Sequence, residues 1–457
     1  MHTRDPLQFN RFEIKSNFDS NKTLDLRGPG NPIIQYRESI FMPHVEVSAA
    51  IIDTGNAMPS DDGSNASVGM LDSGFGQGSE TILFNVEDEK GNKIDLSGEN
   101  DLRVSSILSN KQSFANQSFI LTAVSREVFD NTLLANRCKL NTSYNGNISD
   151  MVRQIMKFNL KSPKFISLDV DETLNEYNGR GEDRLPFEMI LDLQQLSIPN
   201  LQTSKGKTAL GNTAGFLFWQ TSEGYNFKSL DGMFKTEGKN IKRFIENSRT
   251  GEELAEGFDG KIVESNMSKS VNMLNSFITG TYSTQVQVFN EVTKKYDIQN
   301  LASKDKGNGV IAGRHIPKIN DDFLDDDDNP LPTVVERYRD TVGQSSEGLD
   351  TLEEQVDKTE KASYNVKQTI QQSHQNYRQK LATNITICID ADLSLHAGDL
   401  IYCEFPELST KKTMVGSSTR KSGIYMIADL CHYGDKASAF TGMNLVRDSF
   451  GVKPTGD

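Results

Sequence analysis

Between Asn384 and Gly451 apolar and polar positions alternate in short runs. Ile385, Ile387 and Ile389 interleave with Thr386, Cys388 and Asp390, the two-residue period of a half-buried strand. Ile401, Cys403 and Phe405 repeat the pattern until Pro406, which cannot continue a ladder. Ser422-Gly423 opens the run IYMIADLCH, and Gly434-Asp435 turns the chain back into AFTGMNLVRD. Four strands with turn residues between them and no helix predict an antiparallel barrel or sandwich segment.

The same period marks an earlier stretch. From Ile33 the chain reads IIQYRESIFMPHVEVSAAIIDT, two strands broken at Pro43. TILFNVEDEKGNKIDL follows as a hairpin turning at Lys90-Gly91-Asn92, and two further strands end near Ser125. This predicts a first barrel over 33–137, with 1–32 a polar N-terminal arm.

Over 138–245 the period changes. Ile148, Met151, Val152 and Ile155 have helical spacing, with Ser149 as the expected cap. LPFEMILDLQQLSI is a second helix, and a hairpin turns at Ser222-Glu223-Gly224, giving a small α+β domain. Tyr282, Val286, Val288 and Val292 mark strands, so 246–300 is expected to join 384–450 as a second barrel.

The insertion between those halves, 301–383, combines an acidic linker, DDFLDDDDNPLP, with a long polar helix to about Leu381. Leu349, Leu352, Val356, Val366, Ile370 and Tyr377, completed by Thr359, Ser363 and Ser373, form its narrow, half-polar seam, suited to packing one helix along another surface. At 1.5 Å per residue it would span roughly 50 Å. We expect it on the outside of an assembly or at a subunit boundary.

Charge and cysteines narrow the class. Acidic residues outnumber basic ones 63 to 49, a net charge of −14, which argues against gripping nucleic-acid phosphates. Cys138, Cys388, Cys403 and Cys431 form no CxxC and three sit in predicted strands, so buried reduced thiols are expected. Neither a signal peptide nor a membrane span is legible, and the expectation is a soluble protein assembled in a reducing cytoplasm.

FISLDVDETL at 165–174 carries the sharpest enzymatic pattern. It mimics the Asp-x-Asp-x-Thr nucleophile motif of haloacid-dehalogenase phosphatases, with Asp169 attacking phosphorus, Asp171 protonating the leaving group and magnesium bridging. That mechanism also needs a lysine and an acidic pair on later strands of a parallel sheet. Only Asp321–Asp328 follows, in a loop. Those aspartates match a calcium loop poorly, since Pro330 stands where glycine is required, and a mobile acidic linker is expected. GFGQG lacks the strand and helix of a dinucleotide site, and Gly206-Lys207-Thr208 lacks the upstream glycine of a phosphate loop. Cys431 and His432 are neighbours in a strand and point to opposite faces, so they cannot act as a pair. No catalytic, cofactor-binding or metal residues are assigned, and the expectation is a protein that is not an enzyme.

The ordered set GDLIYCEFP, SGIYMIADLCH and LVRDSFG resembles the C-terminal barrel of baseplate hub proteins from contractile-tailed phages, and of related type VI secretion spike hubs. The first unit fits in family order, with Tyr36-Arg37-Glu38-Ser39, then Ile51 to Thr54, then FILTAVSRE. The GFLF hairpin at Gly215–Phe218, with Gly224, Tyr225, Phe227 and Ser229, fits the family's α+β domain. The resemblance implies a β-rich α+β fold: two antiparallel tail-tube-like β-barrels, a small α+β domain and a long helical insertion. It implies a structural virion protein of the tail baseplate, a homotrimer joining the six-fold tail tube, or a tube-initiator protein, to a three-fold central spike. Other baseplate proteins would contact it, and DNA would pass through its channel without specific binding. The long 300–380 segment departs from shorter hubs. The alternatives are a secretion-apparatus spike hub and the phosphatase.

Overall fold

The computed structural model describes residues 6–451 apart from 19–21, 28–31, 57, 60–66, 99–100, 113–115, 166–167, 201–212, 237, 247–253, 255, 270–271, 291–293, 303–311, 314–318, 341–365, 408–417, 419 and 436. Six main strands run across the first unit: β1 (Gln8–Lys15), β2 (Ile33–Ser39), β3 (Glu46–Asp53), β4 (Thr81–Glu87), β5 (Leu102–Gln112) and β6 (Gln117–Ser125), with the short strands Thr23–Asp25 and Lys93–Leu96 paired to β1 and β4. They pair in the order β1-β4-β5-β6-β3-β2, every contact antiparallel. Their inward side chains, among them Phe12, Ile14, Tyr36, Val47, Phe84 and Leu121, make one core.

The N-terminal arm is therefore a correction. Phe12 and Ile14 are fully buried, and β1 runs along β4 from Gln8↔Glu87 to Lys15↔Thr81. Its alternation is short and flanked by Asn, Arg and Lys, which hides a strand whose outer face is wet. The turn at Gly91, with φ +83°, fits the expected hairpin.

The α+β domain contains α1 (Ile148–Gln154), β7 (Asp169–Val170), α2 (Pro186–Leu196) and the hairpin β8 (Phe216–Gln220) and β9 (Tyr225–Ser229). Ser149 is not the cap. Asn147 holds that position, while the buried Ser149 hydroxyl faces Glu172 at 3.1 Å. Phe216, Phe218, Tyr225 and Phe227 stack in the core beneath α2, with Phe218 and Tyr225 nearly parallel at 5.4 Å.

The second unit begins with β10 (Lys242–Ile245) and β11 (Gly260–Lys269). Next comes a separate sheet, β12 (Ser283–Asn290), β13 (Lys295–Ala302) and β14 (Val334–Asp340), in the order β13-β12-β14. The helix α3 (Val366–Lys380) precedes β15 (Thr383–Asp390), β16 (Leu400–Glu404), β17 (Gly423–Gly434) and β18 (Ala439–Arg447). β10, β11 and β15–β18 close into a six-stranded barrel around Ile387, Ile401, Tyr425 and Leu445. It is not wholly antiparallel, because β10 runs parallel to both neighbours, β11 and β16.

Two boundaries change. Only β11 of the 246–300 stretch belongs to the barrel; β12, which carries Val286 and Val288, pairs with β13 and β14 instead. Alternation identifies a strand but not its partner. The 301–383 insertion is not linker and helix alone, since it supplies β14. Of the expected long helix, 349–365 lies outside the described residues. The described part of α3 is not an outer surface. Thr369, Gln371, Ser373, Asn376 and Lys380 are buried, and their polar groups grip backbone: Ser373 donates to Gln195 O at 2.6 Å, Asn376 to Ala214 O at 2.6 Å. The half-polar seam is a wet-looking stripe satisfied inside the chain. Lys380 pairs with Asp231, and burial pulls its ammonium down to about 8.

The two β units share a plan. Counting strands along the chain within each unit, both have the order 1-4-5-6-3-2. Strands 2 to 6 also share direction. Strand 1 holds the same place reversed, β1 antiparallel to β4 and β10 parallel to β16. Among the described residues the second unit closes on itself, whereas in the first no pairing joins β1 to β2. There β2 pairs with β17 of the second unit, from Ile34↔Gly434 to Ser39↔Asp429, so the two sheets are continuous.

Candidate functional site

The two units meet at a seam between β2 and β17. β17 pairs with β16 over its first residues and, past an irregularity between Ile427 and Asp429, with β2 on the same edge. The Ser39 hydroxyl donates to Asp429 at 2.5 Å, and the Asn444 amide donates to the other oxygen of that carboxylate at 2.9 Å. Tyr36 stacks on His432, ring centroids 6.0 Å apart. The two seam strands thus lock through ring contact and carboxylate hydrogen bonds as well as backbone.

Glu38 leaves this seam toward the α+β domain. Its side chain is fully buried, yet it accepts from Tyr36 Oη at 2.5 Å, the Ser222 amide at 2.9 Å and the Ala397 amide at 2.9 Å. His396 Nδ1 lies 3.1 Å from it. One carboxylate therefore ties the first unit, the β8–β9 turn and the loop before β16. Burial alone would raise the Glu38 acid, but the His396 charge and these donors hold it below the ordinary range. Burial opposes the His396 charge, and Glu38 outweighs it, lifting the imidazole to about 9. His432 lacks such a partner; desolvation drops it to about 4, and its Nδ1 meets the Thr441 hydroxyl at 2.8 Å. It is buried while Cys431 faces the other side, as strand geometry requires.

Beside this junction lies a cleft of about 520 Å³. Asp169, Asp171, Lys228, Trp219, His396 and Asp399 are among its walls. Asp169 opens the two-residue β7 and Asp171 follows it directly; β7 runs parallel to β9 in a three-stranded sheet. Lys228 Nζ lies 2.5 Å from Asp169 and 3.5 Å from Asp171, so a cation of the chain already bridges the pair and offsets one of its two charges. Asp171 also accepts the Ser229 amide at 2.9 Å, just ahead of a short helix that the Ser229 hydroxyl caps. Among the described residues no three His, Cys, Asp or Glu side chains are grouped to hold a metal ion.

The acidic run lies apart from this cleft. Asp321–Phe323 forms a single 3-10 turn, and Asp325 accepts the amides of Asp327 and Asn329 at 3.0 and 2.8 Å. It organises its own loop. No disulfide joins the four cysteines, which are buried or half-buried. Burial raises the Cys403 thiol far above its ordinary value. Among the described residues no helix is long and apolar enough to cross a membrane.

Sequence reading missed the junction. Glu38 stands in a strand of ordinary alternation and His396 in a loop, with nothing along the chain to connect them.

No known protein family matches the sequence, and no curated protein does. Solved structures similar to this chain include tail and secretion-system proteins. A tail protein from Neisseria meningitidis MC58 is 9% identical, with 96% of each chain covered and a TM-score of 0.47. A 43 kDa tail protein of prophage MuSo2 from Shewanella oneidensis is 9% identical over 97% of this chain and 98% of that one, TM-score 0.44. An E. coli protein described as a component of the type VI secretion system is 8% identical over 94% of this chain and 79% of that one, TM-score 0.39.

Proposed function

We propose that this chain is a structural hub of a contractile tail, assembled in the host cytoplasm into the virion baseplate. Three copies form a ring that joins a six-fold tube above to a three-fold spike below and frames a passage for DNA. The observation that carries the reading is the shared strand order of the two units and their fusion through β2 and β17. A trimer can present six similar surfaces only if each subunit supplies two, and closed rotational symmetry is how homo-oligomers satisfy repeated interfaces. The reversed first strand marks where the copies have diverged.

Acidity supports the conduit. A net charge of −14 supplies a lumen to which phosphates do not adhere. The Asp169–Lys228–Asp171 cluster supports a structural reading of the cleft rather than phosphoryl transfer.

Imaging of the purified full chain, with its mass in solution, tests the proposal. The expected particle has three chain masses and six lobes around an axial opening. A monomer at every concentration, or a particle without an opening, would overturn it.

A further inference from the structure

Lys380 and Asp231 form an ion pair in which both side chains are buried. Lys380 ends α3, just ahead of β15, and Asp231 lies in the short helix Leu230–Met233 of the α+β domain. The pair therefore ties two parts of the fold together. Leu230 and Leu381, next to them in the chain, pack in one apolar core with Met233, Tyr377 and Val446. Charges enclosed by such surroundings are costly to keep. Burial pulls Lys380 down to about 8, so part of it is the neutral amine at neutral pH, and a neutral amine carries a nucleophilic lone pair.

The two oxygens of Asp231 have different surroundings. Oδ2 accepts the Thr213 amide at 3.1 Å and the Thr213 hydroxyl at 2.5 Å. Oδ1 faces Lys380 Nζ, and neither of those atoms has another hydrogen-bond partner among the described residues. Two donors on one oxygen draw electron density from the carboxyl carbon, as they do in acyl transfer. A third group stands within electrostatic reach of the amine. Asp448 is buried, and burial raises its acid above the ordinary range. A carboxylic acid held protonated in this way can pass a proton on.

We propose that Lys380 and Asp231 are joined by an isopeptide bond formed within the folded chain. The neutral Lys380 amine attacks Asp231 Cγ, the Nζ–Cγ bond forms and the Cγ–Oδ1 bond breaks. Counted from the ion pair, two protons leave the nitrogen and depart with Oδ1 as one molecule of water, Asp448 relaying one of them. Oδ2 stays as the amide oxygen on its two Thr213 donors. No oxidant or cofactor is consumed, and a buried pair of charges becomes a neutral amide. The water has an exit, because Asp231 also lines the cleft beside Trp219 and Lys228. The link closes a covalent loop around β10 to β14 and clamps the α+β domain to the chain entering β15. It is a property of the single chain and does not depend on the hub reading.

The intact mass of the purified, denatured full chain tests it, together with a protease digest. The expected mass lies below that of the sequence by one water, and the digest contains a branched peptide joining the segments around Asp231 and Lys380. Asp231 precedes Gly232, and an Asp-Gly pair can lose water by itself, closing to a cyclic imide. That product carries no branch and is indifferent to Lys380→Arg. Lys380→Arg and Asp231→Ala should each restore the full mass, and Asp448→Asn should raise the unlinked fraction roughly tenfold or more. A wild-type chain at full mass with no branched peptide is an ion pair only and overturns the proposal, whatever the variants do. A water loss that persists in Lys380→Arg is the imide and overturns it too. Wild-type linkage in Asp448→Asn overturns the relay assigned to that residue.

Discussion

His396 Nδ1 and Glu38 Oε1 face each other at 3.1 Å in the junction of three parts of the fold, 358 residues apart in sequence. The pair makes stability depend on pH in a definite sense. His396 has a folded value of about 9, above its ordinary 6.5, with Asp399 and Glu223 adding negative field. Its contribution is complete below 6.5 and disappears as pH rises through 9. Glu38 is held below 4.5, so its contribution is complete above 4.5 and is lost on further acidification. His432, at about 4, adds a cost as pH falls from 6.5 toward 4. Melting temperature should therefore peak near pH 6.5 to 7 and fall on both sides. Glu38→Gln should flatten the alkaline limb and, by leaving a buried histidine unpaired, cost about 3–5 kcal/mol at neutral pH. An alkaline limb unchanged in Glu38→Gln would refute this assignment.

Asp169 and Asp171 should behave differently from each other. Asp171 accepts the Ser229 amide, and Asp171→Ala should destabilise by about 1 kcal/mol. Asp169 is largely exposed beside Lys228, and Asp169→Asn should change stability by less than about 0.5 kcal/mol. Neither variant should alter phosphate release from an aryl phosphate with magnesium, expected at background level. Release that depends on Asp169 would restore the phosphatase alternative.

Gly398 holds the α+β domain against the second barrel. Its φ is +96°, and a Cβ there would stand 2.6 Å from Trp219 Cζ2. Trp219 donates its indole N–H to Ala397 O at 2.9 Å, so the ring cannot step aside without losing that bond. Gly398→Ala should cost more than about 1 kcal/mol by chemical denaturation. A neutral substitution would mean that the domain contact is loose.

The assembled particle should not retain duplex DNA at physiological salt. Non-specific DNA affinity comes from basic groups displacing counterions, and this chain has an excess of acid. A mobility shift of random duplex at about 0.15 M salt, weakening with added salt, would count against an acidic passage.

Much of the β architecture was legible because half-buried strands write their period into the sequence. Ile385, Ile387 and Ile389 alternate, and all three are buried. The α+β hairpin was legible from the turn at Gly224 and the alternation of Tyr225–Ser229, since Phe216–Gln220 is buried at every position. What escaped was pairing. Val286 and Val288 look like barrel residues, yet their ladder partners are β13 and β14. The stripe through Tyr377 looked solvent-facing because its neighbours are amides and hydroxyls, and only the backbone carbonyls of Ala214 and Phe216 explain them. The seam itself joins Ser39 to Asp429, and no local rule reaches that far.

That long-range joint also dictates an order of events during synthesis. β2 emerges early and can pair with β3, but its other edge waits until β17 has left the ribosome. Lys242–Ile245 likewise waits for Leu400–Glu404 before the second barrel can close. Loop closure over such distances is slow, and unfinished edges invite pairing with other nascent chains. A chain shortened before Gly423 would lose the strand that completes both units at once. Quality control is thereby built into the topology, since only a full-length chain buries the β2 edge.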